Sequence, residues 1–170
     1  MATLQEKFAA LVPEMRKAVR GVIQEKGDKV ISQVTVKQAY GGMRGVKGMI
    51  CDTSVVEPDK GLILRGYPLL EIKDLWPEET FYLLLTGDKP DQAATEALQL
   101  DLAARSHVPD YVWDVLTSMP PDSHPMCMLS TGILVMEKES AFRAWYDKGM
   151  KREDYWIPAL EDALRILGVL

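Results

Sequence analysis

Cysteine and histidine are scarce in this chain of 170 residues, with two of each. Cys51 and Cys127 sit among apolar neighbours, which predicts buried, reduced thiols rather than a disulfide. No Cys/His spacing suits a zinc ion, so no metal site is expected. Basic residues are outnumbered 20 to 25, leaving a net charge of −5. No basic face interleaved with aromatics is present, nor a helix-turn-helix or RNA-binding signature, which argues against nucleic acid as a partner. A nucleophile elbow and a Walker-type phosphate loop are also missing. The longest uncharged apolar stretch, Pro125 to Met136, is far below the roughly 20 residues that cross a bilayer, so no membrane partner is expected either. The opening MATLQEKFAALVPEM lacks a hydrophobic signal core and carries acids early, unlike a secretory or typical transit sequence.

What remains is the composition of a globular protein, 47% hydrophobic and 26% charged, at a length that can bury a core. Leu4, Phe8, Leu11, Met15, Val19 and Val22 recur at helical spacing, with Pro13 expected to kink that helix or begin a second segment and Gly27 to stop it. Val30 to Val36 alternates as a short strand would. Further short strands are expected near Met49–Cys51 and Leu62–Leu64, with Glu57-Pro-Asp-Lys-Gly61 as the turn. Beyond Tyr67 the pattern is helical. Helices are expected over Glu78–Thr86, from an Asp91 cap to about Arg105, after Pro109, over 125–137, near Ala141–Lys148 and over Glu153–Leu167. The fold class is therefore mainly α with a small β appendage near the N-terminus, residues 1–66 holding the helix, strands and a Gly-rich loop and 67–170 the helices. Helix 125–137 has no charge between residues 126 and 136, so it should be surrounded, either as a core helix or at a subunit interface.

One segment carries candidate chemistry. Between Tyr40 and Gly48 four glycines (Gly41, Gly42, Gly45, Gly48) enclose Arg44 and Lys47. Glycine permits positive φ and close approach, and a guanidinium on such a loop can grip phosphate bidentately. The plain alternative is a tight turn between short strands. His107 precedes a helix without an evident partner and reads as exposed or structural. His124, between Ser123 and Pro125, reads as a cap or packing group at a helix entrance rather than an acid or base. No catalytic residue is assigned.

The same segment resembles the N-terminal part of citrate synthases of the mitochondrial and some bacterial types. The likeness rests on Tyr40-Gly-Gly-Met-Arg-Gly45, Lys47-Gly48, Asp52-Thr-Ser-Val55, Glu57-Pro-Asp-Lys-Gly61 and Leu64-Arg-Gly-Tyr67. It continues through Leu83-Leu-Leu-Thr-Gly87, Ser123-His-Pro-Met126, Glu139-Ser140 and Tyr155-Trp156, in order, from about residue 4 to 167. The resemblance implies that residues 1–170 form part of the helical large domain of an enzyme joining acetyl-CoA to oxaloacetate, with coenzyme A as a substrate and no tightly bound cofactor. It implies that Arg44 contacts the coenzyme A phosphates. Arg152, in Arg152-Glu-Asp-Tyr-Trp156, matches a second such arginine that acts on the neighbouring subunit's coenzyme. A salt bridge of Arg152 to Glu153 or Asp154 is the alternative. Lys47 is grouped with them as a neighbouring cation. A homodimer through helices 109–118 and 125–137 is implied as well.

The family's catalytic histidines and aspartate lie in later motifs (N-H-E-G-G, G-P-L-H-G, P-G-x-G-H), none of which occurs here. A charged loop of the longer family forms is missing between Ile72 and Glu79. The chain is thus expected to be inactive alone, as a fragment or as one subunit of a split enzyme completed by a C-terminal partner. The apolar run from Ala163 to Leu170 fits that expectation, since several such side chains would gain about 1.5–3 kcal/mol each on burial. Other readings are a non-catalytic dimerisation or regulatory relic of the fold, a 2-methylcitrate synthase or a citryl-CoA lyase. A bacterial cytoplasm, or the mitochondrial matrix for a mature eukaryotic form, is the expected location.

Overall fold

The computed structural model describes residues 3–170. They divide into two compact units, one ending at Thr95 and the other spanning Glu96–Leu170.

The first unit opens on helix α1 (Leu4–Lys26), entered through a capping box in which Thr3 and Glu6 exchange side-chain and backbone bonds. Pro13 lies inside α1, which continues past it as one helix, so no second segment begins there. Leu4 and Val12 are buried, but Val19, Val22 and Ile23, further along the same helix, are exposed. The strand expected over 30–36 does not form. Val30, Ile31 and Val34 are exposed, with no neighbouring strand to pair with, and Thr35 instead caps a short helix α2 (Val36–Tyr40) in a second capping box with Gln38. A local cap with all its bonds satisfied prevails over an alternation that lacks a partner.

Three short strands follow: β1 (Ser54–Glu57), β2 (Gly61–Leu64) and β3 (Tyr67–Pro68), antiparallel in that order, with Val55 opposite Ile63 and Leu64 opposite Tyr67. The expected strand at Met49–Cys51 is extended loop; β1 begins three residues later, where it can pair with β2. Helix α3 (Leu69–Ile72) leads to α4 (Pro77–Thr86), whose entrance is closed by Glu79 accepting from the Trp76 N–H at 2.8 Å. Gly87, at φ 86°, ends α4. Tyr82 and Leu83 of α4 and Ile72 of α3 form the core of this unit with Leu4 and Val12. Lys7 lies 5.0 Å above the Tyr82 ring and 3.3 Å from Asp88, and these two hold its ammonium above the ordinary lysine value.

The unit boundary falls within α5 (Gln92–Ala104), which Asp91 caps by accepting from Ala94 N–H at 2.8 Å. The second unit continues with α6 (Asp110–Ser118), α7 (Pro125–Val135), a 3₁₀ turn (Met136–Glu139), α8 (Ala141–Tyr146), a second 3₁₀ turn (Arg152–Asp154) and α9 (Trp156–Val169). Leu98, Val112, Met136, Leu160 and Leu164, with the fully buried Pro158, are among its buried residues. Asp162 of α9 caps α8 from the side, accepting from Ser140 Oγ at 2.6 Å, Ala141 N–H at 2.7 Å and Phe142 N–H at 3.1 Å. Arg105 links α5 to α9, bonding Asp101 at 2.9 Å and Glu161. Beside it Gly168 brings α9 close to α5; a Cβ there would lie 2.7 Å from the Leu102 carbonyl oxygen. Gly132 lets α7 pack on α6, with more room: a Cβ would be 3.6 Å from Val112 and 3.7 Å from Leu116.

Helix α7 is not enclosed within this chain. Met126 is 58% exposed, Leu129 42% and Leu134 73%, so no described residue covers this apolar side, as suits either a core helix of a longer chain or a subunit interface. The two cysteines are also exposed rather than buried, because Cys51 falls on the irregular loop and Cys127 on the open side of α7.

Candidate functional site: a cationic glycine loop

Helix α2 runs directly into the Gly-rich segment. The N–H groups of Gly41 and Met43 donate back to the carbonyls of Lys37 (2.9 Å) and Gln38 (2.8 Å), and that of Val46 to Met43 (3.0 Å). Three residues take positive φ: Gly42 (74°), Met43 (60°) and Gly45 (77°). Glycine carries no steric penalty there, but Met43 does, and its left-handed conformation is imposed by the coil on either side. Arg44 sits between Met43 and Gly45 at the outside of this coil, and Lys47 follows three residues later; both are exposed. Neither forms an ion pair among the described residues, and residues 36–50 contain no carboxylate. The arrangement is two cations on a compact loop, without an internal counter-ion, which suits an anionic ligand.

Arg152 belongs to the second unit, at the exposed start of the 3₁₀ turn before α9. The salt bridge considered for it is not formed among the described residues; Lys151, at 4.0 Å, is the cation beside Glu153. Tyr155 next to it is packed edge-on against Phe142, with ring centres 5.2 Å apart. Arg44 and Lys47 thus share one loop, while Arg152 stands on a separate element.

The histidines behave as their sequence positions imply. His124 caps α7, its Nδ1 accepting from Met126 N–H at 3.1 Å, and His107 is exposed. Among the described residues, no group of three His, Cys, Asp or Glu side chains converges as a metal site. A cleft of about 200 Å³ in the second unit, floored by Ile133, Met136 and Ile166, and a groove of about 530 Å³ along α1 at Arg16, Lys17 and Arg20 contain none of the candidate cations.

Two features escaped the sequence reading. Arg65 is a nearly buried guanidinium whose Nε donates to the Leu84 carbonyl at 2.9 Å. Only its place in Leu64-Arg-Gly-Tyr67 hinted at it. Cys51, on the loop after Gly48, is held below the ordinary thiol range, at about 7, by hydrogen bonds from Thr53 first and then Ser54.

The family model described as "Citrate synthase, C-terminal domain" matches residues 42–170. The mitochondrial citrate synthase of Saccharomyces cerevisiae is 40% identical over 99% of this chain and 37% of its own length. The peroxisomal citrate synthase of the same yeast is 40% identical over 99% of the chain and 39% of its own length. The mitochondrial 2-methylcitrate synthase of Yarrowia lipolytica is 36% identical over 98% and 38%, respectively. The chain therefore spans less than two fifths of the length of these curated relatives. With the family model covering residues 42–170, about three quarters of its length, the chain belongs to the citrate synthase family.

Proposed function

We propose that this chain supplies the scaffold, dimer helices and part of the coenzyme A site of an enzyme that condenses acetyl-CoA with oxaloacetate and water to give citrate and coenzyme A. Arg44 and Lys47 bind phosphates of the coenzyme, and Arg152 does the same on a neighbouring subunit's coenzyme. The observation that carries this reading is the exposed Arg44, without a counter-ion in residues 36–50, on a loop whose sequence Tyr40-Gly-Gly-Met-Arg-Gly45 matches the family pattern. No cofactor other than the substrate coenzyme enters the reading. Abstraction of an acetyl proton needs a base at the α-carbon and donors at the developing oxyanion. The later family motifs that carry such groups do not occur in this sequence, so this reading assigns them to the remainder of the enzyme, in the same polypeptide or in a complementing C-terminal subunit. The chain by itself makes no citrate.

The exposed apolar side of α7, together with Trp113 of α6 (54% exposed), supports a homodimer through helices 109–118 and 125–137. The mitochondrial relatives support a matrix location, with the bacterial cytoplasm as the alternative. No helix among the described residues is long and apolar enough to cross a membrane. The match to a 2-methylcitrate synthase favours a second reading, in which propionyl-CoA replaces acetyl-CoA at the same phosphate contacts.

The test is Arg44→Ala in the complete enzyme. The KM for acetyl-CoA should rise by about tenfold or more, corresponding to loss of a charge-assisted contact of about 1.5–3 kcal/mol, with the KM for oxaloacetate changing far less. An equal rise in both constants makes Arg44 a structural residue. Comparing acetyl-CoA with propionyl-CoA in that enzyme decides between the two synthase readings.

A further inference from the structure

The turn joining β2 to β3 consists of Arg65 and Gly66, both at positive φ (48° and 89°), with Leu64 and Tyr67 paired across it. Two consecutive left-handed residues form the mirror-image turn that matches strand twist, and its first position favours Asn, Asp or Gly. Arginine is a poor choice for the turn itself, so its side chain must account for its presence. That side chain is 14% exposed. Its Nε donates to the Leu84 carbonyl at 2.9 Å and its Nη1 lies 3.6 Å from the Asp52 carboxylate. The Arg65 backbone N–H also donates to the Thr53 carbonyl at 2.9 Å. Leu84 lies in the last turn of α4, where carbonyls lack helical partners and a cation is favoured.

Asp52 and Thr53 stand four and five residues beyond Gly48, and the intervening Met49–Cys51 has no strand pairing of its own. On the other flank, the Lys47 N–H reaches Ser32 Oγ only at 3.4 Å. The Arg65 side chain thus ties the exit of the glycine loop to the end of α4. We infer that Arg65 is a positioning residue for the anion contact at Arg44 and Lys47, holding the base of their loop against the helical scaffold. This inference rests on the reading of Arg44 as a phosphate ligand.

Arg65→Asn is the discriminating variant. Asn-Gly is the sequence this turn prefers, so the hairpin persists while both side-chain tethers are lost. Arg65→Lys keeps the charge, but a lone ammonium lacks the planar fork that spans Leu84 and Asp52, so it should restore binding only in part. In the complete enzyme, Arg65→Asn should raise the KM for acetyl-CoA about three- to tenfold and leave kcat and the KM for oxaloacetate within about twofold. An equal rise in both KM values, or full activity with Lys or Asn, overturns the proposal.

A second readout does not depend on coenzyme binding. In the complete enzyme, with alkylation followed at the Cys51 peptide by mass spectrometry, Arg65→Asn should move the pH of half-maximal Cys51 alkylation from about 7 toward the free-thiol value of about 8.5, as the untethered Cys51–Asp52 segment moves away from Thr53 and Ser54, which the hairpin keeps in place. An unchanged midpoint overturns the tether itself. If Arg44→Ala leaves the KM for acetyl-CoA unchanged, the phosphate reading fails and takes the coenzyme consequence with it. The thiol midpoint then still decides whether Arg65 holds the loop.

Discussion

Adding one methyl group at each of two helix-packing glycines should change stability in opposite directions. At Gly168 an added Cβ would stand 2.7 Å from the Leu102 carbonyl oxygen, 2.9 Å from Arg105 Cβ and 3.3 Å from the Arg105 carbonyl carbon. Two of the three neighbours are backbone atoms, in the last turn of α5 and just beyond its end, which cannot swing aside, so α9 must shift. Overpacking of this kind costs about 1–3 kcal/mol. The helix propensity gained on replacing Gly by Ala offsets at most about 1 kcal/mol, and less in a last turn such as this one. Gly168→Ala should therefore destabilise by about 1–2 kcal/mol, lowering Tm by about 2–8 °C for a chain of this size. At Gly132 the same methyl would meet only side chains at ordinary contact distance, Val112 at 3.6 Å and Leu116 at 3.7 Å. Gly132→Ala keeps the propensity gain and should raise Tm by about 2–4 °C. The assay is thermal unfolding followed by far-UV circular dichroism, at one protein concentration and one scan rate. Two shifts of the same sign would refute the packing geometry assigned to these glycines.

Asp162→Ala removes the acceptor for three donors at the start of α8 and should cost about 2–3 kcal/mol, seen as a lower midpoint in urea unfolding. Thr35→Ala breaks the second capping box and should unwind α2, with a penalty of about 1 kcal/mol and faster amide exchange over residues 36–40. Leu134→Glu, at a site 73% exposed, should abolish self-association in sedimentation while leaving the monomer's circular dichroism unchanged. Cys51 should be alkylated faster than Cys127 at pH 7. Because its folded-state pKa is depressed, the associated stabilisation is present above the unfolded thiol value of about 8.5 and is lost as pH falls through about 7.

Helix ends were the most legible part of the fold. Gly87 and Asp91 punctuate α4 and α5 where their backbone preferences place them, and Pro125 opens α7. Pairing was harder to read. Alternation at Val30–Val36 is a local pattern, whereas a strand needs a neighbour that local pattern cannot supply, and the Thr35-x-x-Gln38 signature was the better guide. Burial was misjudged where the covering surface is not in this chain. The uncharged side of α7 and the apolar neighbours of both cysteines signal contact, but composition does not name what makes it. In the candidate site, Arg44 and Lys47 stood out through their glycines. Arg65 did not, because a buried guanidinium is defined by acceptors such as the Leu84 carbonyl, nineteen residues away.

The free edge of β1 bears on what happens when this chain leaves solution. Val55 is 48% exposed and Val56 73%, and the side of β1 away from β2 has no partner strand among the described residues. The edge is four residues long, and Asp52 and Pro58 bracket it. Stacking into ordered fibrils takes about six or seven consecutive residues without proline. Precipitates formed on heating or concentration should accordingly be amorphous and negative for thioflavin T. They should dissolve in mild detergent, because adhesion between molecules runs through the apolar side chains of α7 rather than through backbone hydrogen bonds.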